Sequence, residues 1–140
     1  MKKKILLYFV IGGLALFALI QLIPVDRTNP PTTVEPQWIS PEARSLVKEH
    51  CFQCHSNETE WPWYSYVAPA SWLIKWDVVN GRNQFNFSEW DKNPGELDEM
   101  IGEIQEGGMP PLQYTLFHSN SRLDAQQKQT LIDALSTSLK

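Results

Sequence analysis

Both cysteines of this 140-residue chain fall in one short segment, Cys51-Phe-Gln-Cys-His55. In a helix, Cys51 and Cys54 lie one turn apart, so their thiols point to the same side and His55 continues that face. A zinc site would need two further Cys or His ligands at short spacing, and the chain has no third cysteine. A thioredoxin-like redox pair belongs to a βαβ pattern, which the sequence lacks. A simple disulfide is the remaining alternative.

The C-x-x-C-H spacing is typical of covalent haem c attachment. Two thiols add across the haem vinyl groups to form thioethers, and the adjacent imidazole reaches the iron. We therefore predict one covalent haem c, held by Cys51 and Cys54, with His55 as the proximal iron ligand. We prefer this interpretation to a disulfide, a redox dithiol or half of a zinc site.

The first 23 residues differ from the rest of the chain. Lys2, Lys3 and Lys4 precede an apolar run over residues 5–23, which at about 1.5 Å per residue nearly spans a bilayer core of about 30 Å. The run ends without a small-x-small cleavage site, so we predict an uncleaved anchor over residues 1–23 rather than a removed signal peptide. The lysines favour a cytoplasmic N-terminus, so the haem domain would lie on the outer side of the membrane.

The charge of the exported part narrows the choice of partners. Residues 24–140 carry 16 acidic and 9 basic side chains, a net charge of −7. No basic patch is available to meet phosphates, which argues against nucleic acid as a partner. The acidic surface is suited to a basic redox partner, although acidic residues also simply keep a small domain soluble.

Residues 24–39 are rich in proline, and we predict a stiff linker there between the anchor and a haem-binding domain over residues 40–140. Four helices are predicted in that domain. The first helix is expected to start at Ser40-Pro41, and the second to run from Pro69 to about Arg82 with Gly81 as a C-terminal cap. The third is expected to start at Asn93-Pro94 and to stop at Gly107-Gly108. The last is expected to start at Asp124. No strand pattern of useful length appears, so we predict an all-α domain.

The order of these features resembles class I cytochromes c, in which a methionine from a loop before the last helix binds iron opposite the histidine. More closely, the chain resembles a bacterial haem-binding domain family of membrane-anchored monohaem proteins. The likeness is carried by Cys51–Thr59, Trp61–Ser65, Ala68–Pro69, Ser71–Leu73, Gly81–Arg82, Asn86–Trp90, Met109–Pro111, Tyr114 and His118. The family often has a histidine before an Asp-Val pair. Here Trp76 precedes Asp77-Val78, so that position supplies no ligand.

Three residues compete for the sixth iron position. Met109 would favour reduced iron and raise the potential, and the prolines after it stiffen its loop. His118 would lower the potential. His50 is the weakest candidate because it lies so close to His55 in sequence. We favour Met109, with His118 as the alternative. A core-filling role for Met109 is the competing interpretation.

Several aromatic and basic residues are candidates for secondary contacts with haem. Trp61, Trp63 and Tyr64 could lie over the ring, and Arg82 could pair with a propionate, because a guanidinium matches a carboxylate. For each of them, an ordinary role in holding the fold together is at least as good an interpretation.

The sequence favours an electron carrier that passes single electrons between redox proteins in or at the membrane. The cytochrome c maturation machinery would be a further partner. The alternative is a ligand sensor or a peroxidase-like protein with an open or weakly held sixth iron position. A peroxidase needs a distal acid–base group, for which His118 is the candidate, so we rank an enzyme below a carrier.

Overall fold

The computed structural model describes residues 2–118 and 121–139, and within those ranges it contains six α-helices and one short 3₁₀ turn. The only β-type pairing there is an isolated bridge between Val34 and Glu89. The prediction of an all-α chain is therefore confirmed. The elements are α1 Lys2–Ile20, α2 Pro41–His55, the 3₁₀ turn Trp63–Tyr66, α3 Ala70–Gln84, α4 Leu97–Glu106, α5 Leu112–Phe117 and α6 Ala125–Ser138.

The chain divides into two compact units, and the division falls within α3. One unit, here called the anchor unit, comprises Met1–Thr28 and Trp61–Asp77; the other, the core unit, comprises Asn29–Glu60 and Val78–Lys140. In the anchor unit, α1 is apolar and exposed along its length. Among the described residues it is the one helix long and apolar enough to cross a membrane.

The core unit is built on α6, which packs against both α2 and α4. The buried centre is apolar and holds Val47, Phe52, Phe87, Ile104, Leu131, Ile132 and Leu135. Its aromatic rings form a pile in which Phe87 stacks on Phe52 at 5.3 Å and on Trp90 at 5.4 Å. Phe87 therefore lies at the centre of the apolar core.

Local capping explains most helix boundaries. Ser40 caps α2 by accepting from the Ala43 N–H at 3.1 Å, and Asp124 and Gln127 form a capping box at the start of α6. Gly107 ends α4 in the left-handed region at φ 82°, which glycine adopts without a Cβ clash. These three predicted ends are confirmed.

Two predicted boundaries are wrong. α4 begins at Leu97 rather than near Asn93, because the Asn93 amide donates to the Arg82 carbonyl at 2.8 Å. Asn93 thus donates a hydrogen bond to a carbonyl near the end of α3 and does not cap α4. Gly81 is not a cap either, since α3 continues past it to Gln84.

The later part of the proline-rich segment is bonded to the core unit. The Thr33 N–H donates to the Ser88 carbonyl at 2.8 Å, and the Trp90 N–H donates to the Val34 carbonyl at 2.9 Å. Glu35 forms two hydrogen bonds of 2.7 Å with Arg44 on α2. Residues 33–35 are therefore held in place by backbone and side-chain bonds.

Candidate haem site

The last turn of α2 carries the predicted attachment motif. Phe52 turns inward and is almost fully buried, which fixes the rotation of this turn. Cys51 packs against the buried cluster, and both Cys51 and Cys54 are half-buried and form no disulfide. Burial raises the pKa of the Cys51 thiol to about 12. The structure therefore places two unlinked thiols on the helix that ends at His55.

His55 is buried and uncharged. Its ring stacks on Phe85 with centroids 3.9 Å apart, and its carbonyl accepts from the Phe87 N–H at 2.9 Å. Burial lowers the pKa of the imidazole to about 4, an effect that backbone groups of Gly81 and Phe85 offset only in part. A neutral imidazole keeps a lone pair for a metal.

The Nδ1 atom of His55 is buried and has no hydrogen-bond partner within the described residues. Buried polar atoms are normally paired, because an unpaired one costs about 1–3 kcal/mol. A ligand that engages this imidazole would account for the unpaired atom of His55; the Nδ1 atom of His50 is likewise buried and unpaired within the described residues. Together with the thiols of Cys51 and Cys54, which form no disulfide, the imidazole makes a donor set that fits a haem c.

Gly81 allows α3 to pass directly against the motif. A Cβ at this position would lie 2.5 Å from the Cys54 carbonyl oxygen and 2.9 Å from the Cys54 Cβ. Both distances are shorter than real Cβ contacts, so only glycine fits here without a shift of the backbone. Sequence reasoning assigned Gly81 to a helix end and missed this close approach.

Arg82 holds the loop that follows the motif. Its Nε donates to the Ser56 carbonyl at 2.7 Å, and its Nη2 donates to Thr59 Oγ1 at 3.0 Å and to Asn29 Oδ1 at 2.8 Å. The Arg82 guanidinium thus stabilises the fold, which was the alternative to a propionate contact in the sequence analysis. The loop at Ser56–Thr59 is therefore fixed beside His55.

A buried polar network missed from the sequence completes this arrangement. The Asn57 N–H donates to Ser88 Oγ at 2.9 Å, and Asn86 Nδ2 donates to Asn57 Oδ1 at 2.9 Å. Asn86 Oδ1 in turn accepts from the Ser88 N–H at 2.9 Å. The alternation of polar Asn86 and Ser88 around buried Phe87 is the sequence signal that would have revealed it. The network joins the loop after His55 to the segment before α4.

Met109 lies in the turn after α4, in the same unit as His55. Its N–H donates to the Glu103 carbonyl at 3.2 Å, and the residue is 38% exposed. Met109 therefore lies outside the buried core, which argues against the core-filling interpretation. Leu112, Leu116 and Phe117 of α5 are also exposed, so this region offers apolar surface for a flat apolar ligand to cover.

His118 and His50 occupy different settings. His118 follows α5, stacks on Tyr114 at 4.2 Å, and has its Nδ1 3.2 Å from the Tyr114 carbonyl oxygen. Donation from Nδ1 leaves the lone pair on Nε2, the tautomer that a metal ligand needs. His50 is buried on α2, and burial lowers its pKa.

The remaining aromatic candidates belong to the anchor unit. Trp61, Trp63 and Tyr64 lie in or beside the 3₁₀ turn, where Trp63 meets Tyr64 edge-on at 5.7 Å. Their contact with a haem stays a prediction, as does the choice of sixth ligand.

Comparison with known proteins identifies the protein family to which the chain belongs. A family model described as a haem-binding domain matches residues 15–137, which is most of the chain. The chain belongs to this haem-binding domain family, and haem binding follows from that membership. No solved structure matches it significantly.

The chain is also similar in sequence to part of a cytochrome c peroxidase. The chain is 23% identical over 95 residues to the cytochrome c peroxidase of Escherichia coli strain K12, an alignment that covers 62% of this chain. It spans only 20% of the length of that protein.

Proposed function

We propose that this protein is a membrane-anchored c-type cytochrome that carries single electrons. The observation that supports it best is the buried His55 at the end of the helix that bears both cysteines, which form no disulfide. Haem, when bound, supplies the one-electron iron couple. The protein would hold the haem through two thioether links from Cys51 and Cys54 and through a nitrogen of His55. The close approach of Gly81 and the hydrogen bonds of Arg82 and Asn57 support that turn, which suits a carrier with little reorganisation.

Covalent attachment has a direct test. Haem should stay with the wild-type chain on a denaturing gel and be lost from the Cys51→Ala/Cys54→Ala double variant. Each single variant should keep one thioether and change the reduced absorption band. Loss of haem from the denatured wild type would exclude attachment through these thiols, while leaving non-covalent haem binding intact.

We propose Met109 as the sixth ligand, with His118 as the alternative. The exposure of Met109 leaves its thioether uncommitted to the core, and a methionine ligand raises the potential. Oxidised and reduced spectra, with and without carbon monoxide, separate the choices. Low-spin iron with the near-red sulfur-to-iron band, abolished in Met109→Ala and retained in His118→Ala, is the expected result. Low-spin wild-type iron that lacks this band, and that becomes high-spin in His118→Ala but not in Met109→Ala, would assign the ligand to His118.

Anchoring by α1 would leave the haem domain on the periplasmic face of a bacterial inner membrane. Three lysines form the first turn of the helix, and the positive-inside tendency favours their staying in the cytoplasm. Membrane-bound redox proteins and the cytochrome c maturation machinery are then the partners within reach. Residues 93–118 carry five acidic side chains and no Lys or Arg, and all five are exposed, so a basic docking face on the redox partner is favoured. The acids are Glu96, Asp98, Glu99, Glu103 and Glu106.

A peroxidase-like activity is the second candidate, favoured by the similarity to a cytochrome c peroxidase. It requires an open iron position and a nearby acid–base group, for which His118 is available. High-spin iron that binds carbon monoxide, with peroxide turnover lost in His118→Ala, would support it. Low-spin iron without turnover supports the carrier.

A further inference from the structure

The segment Trp61–Asp77 is bonded to the end of α1. The side-chain amide of Gln21 accepts from the Ala68 N–H at 2.9 Å and donates to the Ala68 carbonyl at 3.2 Å. The same Nε2 also donates to the Phe17 carbonyl in the last turns of α1, at 2.9 Å. One glutamine thus joins the helix terminus to the backbone of the segment.

Two more residues just beyond α1 reach the same segment. Arg27 donates to the Ser65 carbonyl at 3.2 Å and lies over the Tyr66 ring at 4.2 Å. Asp26 forms an ion pair with Lys75 at 3.4 Å. The segment is therefore held at the end of α1 from several directions.

The composition of this segment is unusual for an acidic domain. Residues 61–74 contain no Asp, Glu, Lys or Arg. Trp63 is 77% exposed and Trp76 is 63% exposed, and Tyr66 and Leu73 are also exposed. Large aromatic rings in this number are costly to leave in water, which indicates that something covers them.

We propose that this aromatic segment, residues 61–76, lies in the headgroup region of the lipid bilayer. The inference rests on the proposed anchoring by α1. The 19 residues of α1 rise roughly 28 Å, about one hydrocarbon thickness, so the helix ends where lipid headgroups begin. Whatever is bonded to Gln21 lies at that depth. Trp and Tyr favour this boundary because their rings are apolar and their N–H or O–H groups are polar.

Lipid, rather than a protein partner, is favoured because the surface is continuous with the membrane helix. The charges beside the aromatic segment balance, because Asp26 and Asp77 offset Arg27 and Lys75, so no net negative charge repels the lipid headgroups. The protein would therefore contact the membrane surface through this segment, in addition to being anchored by α1.

Photocrosslinking of the full-length haem-loaded protein tests this. The protein is placed in vesicles of phosphatidylcholine and phosphatidylglycerol that contain a diazirine-bearing phosphatidylcholine, and adducts are mapped by mass spectrometry. We expect adducts on α1 and on the aromatic segment, and none on the exposed acidic helix α4. Adducts on α1 alone would overturn the proposal and leave anchoring intact. Adducts on neither would overturn both.

Variants sharpen the result. Trp63→Ser/Trp76→Ser should lose most adducts on the aromatic segment while keeping those on α1 and an unchanged visible spectrum. Ile39→Ser, which also removes an exposed apolar side chain, should leave the adduct map unchanged. A shifted visible spectrum in the tryptophan double variant would instead show that these rings cover haem, and would overturn the membrane assignment.

Discussion

At the scale of single residues, Gly81 is the position where one added methyl group should do most damage. In Gly81→Ala the new Cβ meets backbone atoms of Cys54, which cannot move without displacing the motif. We expect a loss of about 1–3 kcal/mol in the free energy of unfolding and less haem per protein. Denaturant unfolding and haem-to-protein ratios measure both.

Gly102→Ala is the matched control for that variant. Nothing lies within 4 Å of its Cβ position, and the residue sits in helix α4. The same substitution should therefore stabilise the protein by about 0.4–1 kcal/mol, because alanine restricts the unfolded chain. Equal stability and haem content in both variants would contradict the close approach described at Gly81.

Glu35 gives a residue-scale prediction for pH. Hydrogen bonds from Arg44 lower the pKa of this carboxyl below its ordinary value of 4.5. Its contribution to stability is therefore present above pH 4.5 and is lost as the pH falls through the lowered value. Glu35→Gln should cost about 1 kcal/mol near neutral pH and progressively less in acid.

Urea unfolding of both proteins as a function of pH measures the difference. Glu49→Gln makes the same charge change at an exposed site on α2 and should cost little at any pH. A constant difference between wild type and Glu35→Gln down to acid pH would mean that Glu35 is not ionised in the folded state.

At the scale of elements, the stability of α2 depends on the cap at its first turn, although the candidate haem-binding residues lie in its last turns. Ser40→Ala removes the bond to the Ala43 N–H and should cost about 1 kcal/mol. Ser45→Ala, an exposed position within the same helix, should be neutral or slightly stabilising. Thermal unfolding followed by circular dichroism compares them, and equal shifts would argue against a capping role.

Helix ends were predictable where their cause is local in sequence. The Ser40 cap, the Asp124 box and the left-handed Gly107 all act within a few residues. The start of α4 was not predictable, because the Asn93 amide is taken by a carbonyl on α3. The short helix α5 was missed because six residues show no clear periodicity.

The same distinction applies to the candidate site. The spacing of Cys51, Cys54 and His55 is local and was readable from the sequence. The close approach of Gly81 and the bonds from Arg82 to Ser56 and Thr59 depend on how α3 packs, so only the structure reveals them.

At the scale of the whole molecule, net charge should govern how fast small redox reagents react. With −7 on residues 24–140, a cationic ruthenium ammine should react more slowly as ionic strength rises, and anionic ferricyanide faster. Stopped-flow rates for the haem-loaded protein at several salt concentrations measure both. Rates independent of salt for both reagents would show that the acidic residues do not set the field near the electron-transfer site.

The burial of Cys51 bears on the order of events in biogenesis. In the folded chain Cys51 is half-buried against the apolar core, and burial raises the pKa of its thiol to about 12, so the thiol is protonated near neutral pH. A protonated, partly buried thiol reacts poorly in thioether formation, because the thiolate is the reactive form and the attachment enzyme needs access to it. The proposed thioether bonds would therefore form while the chain is still unfolded after export, and folding would then close around an attachment already made.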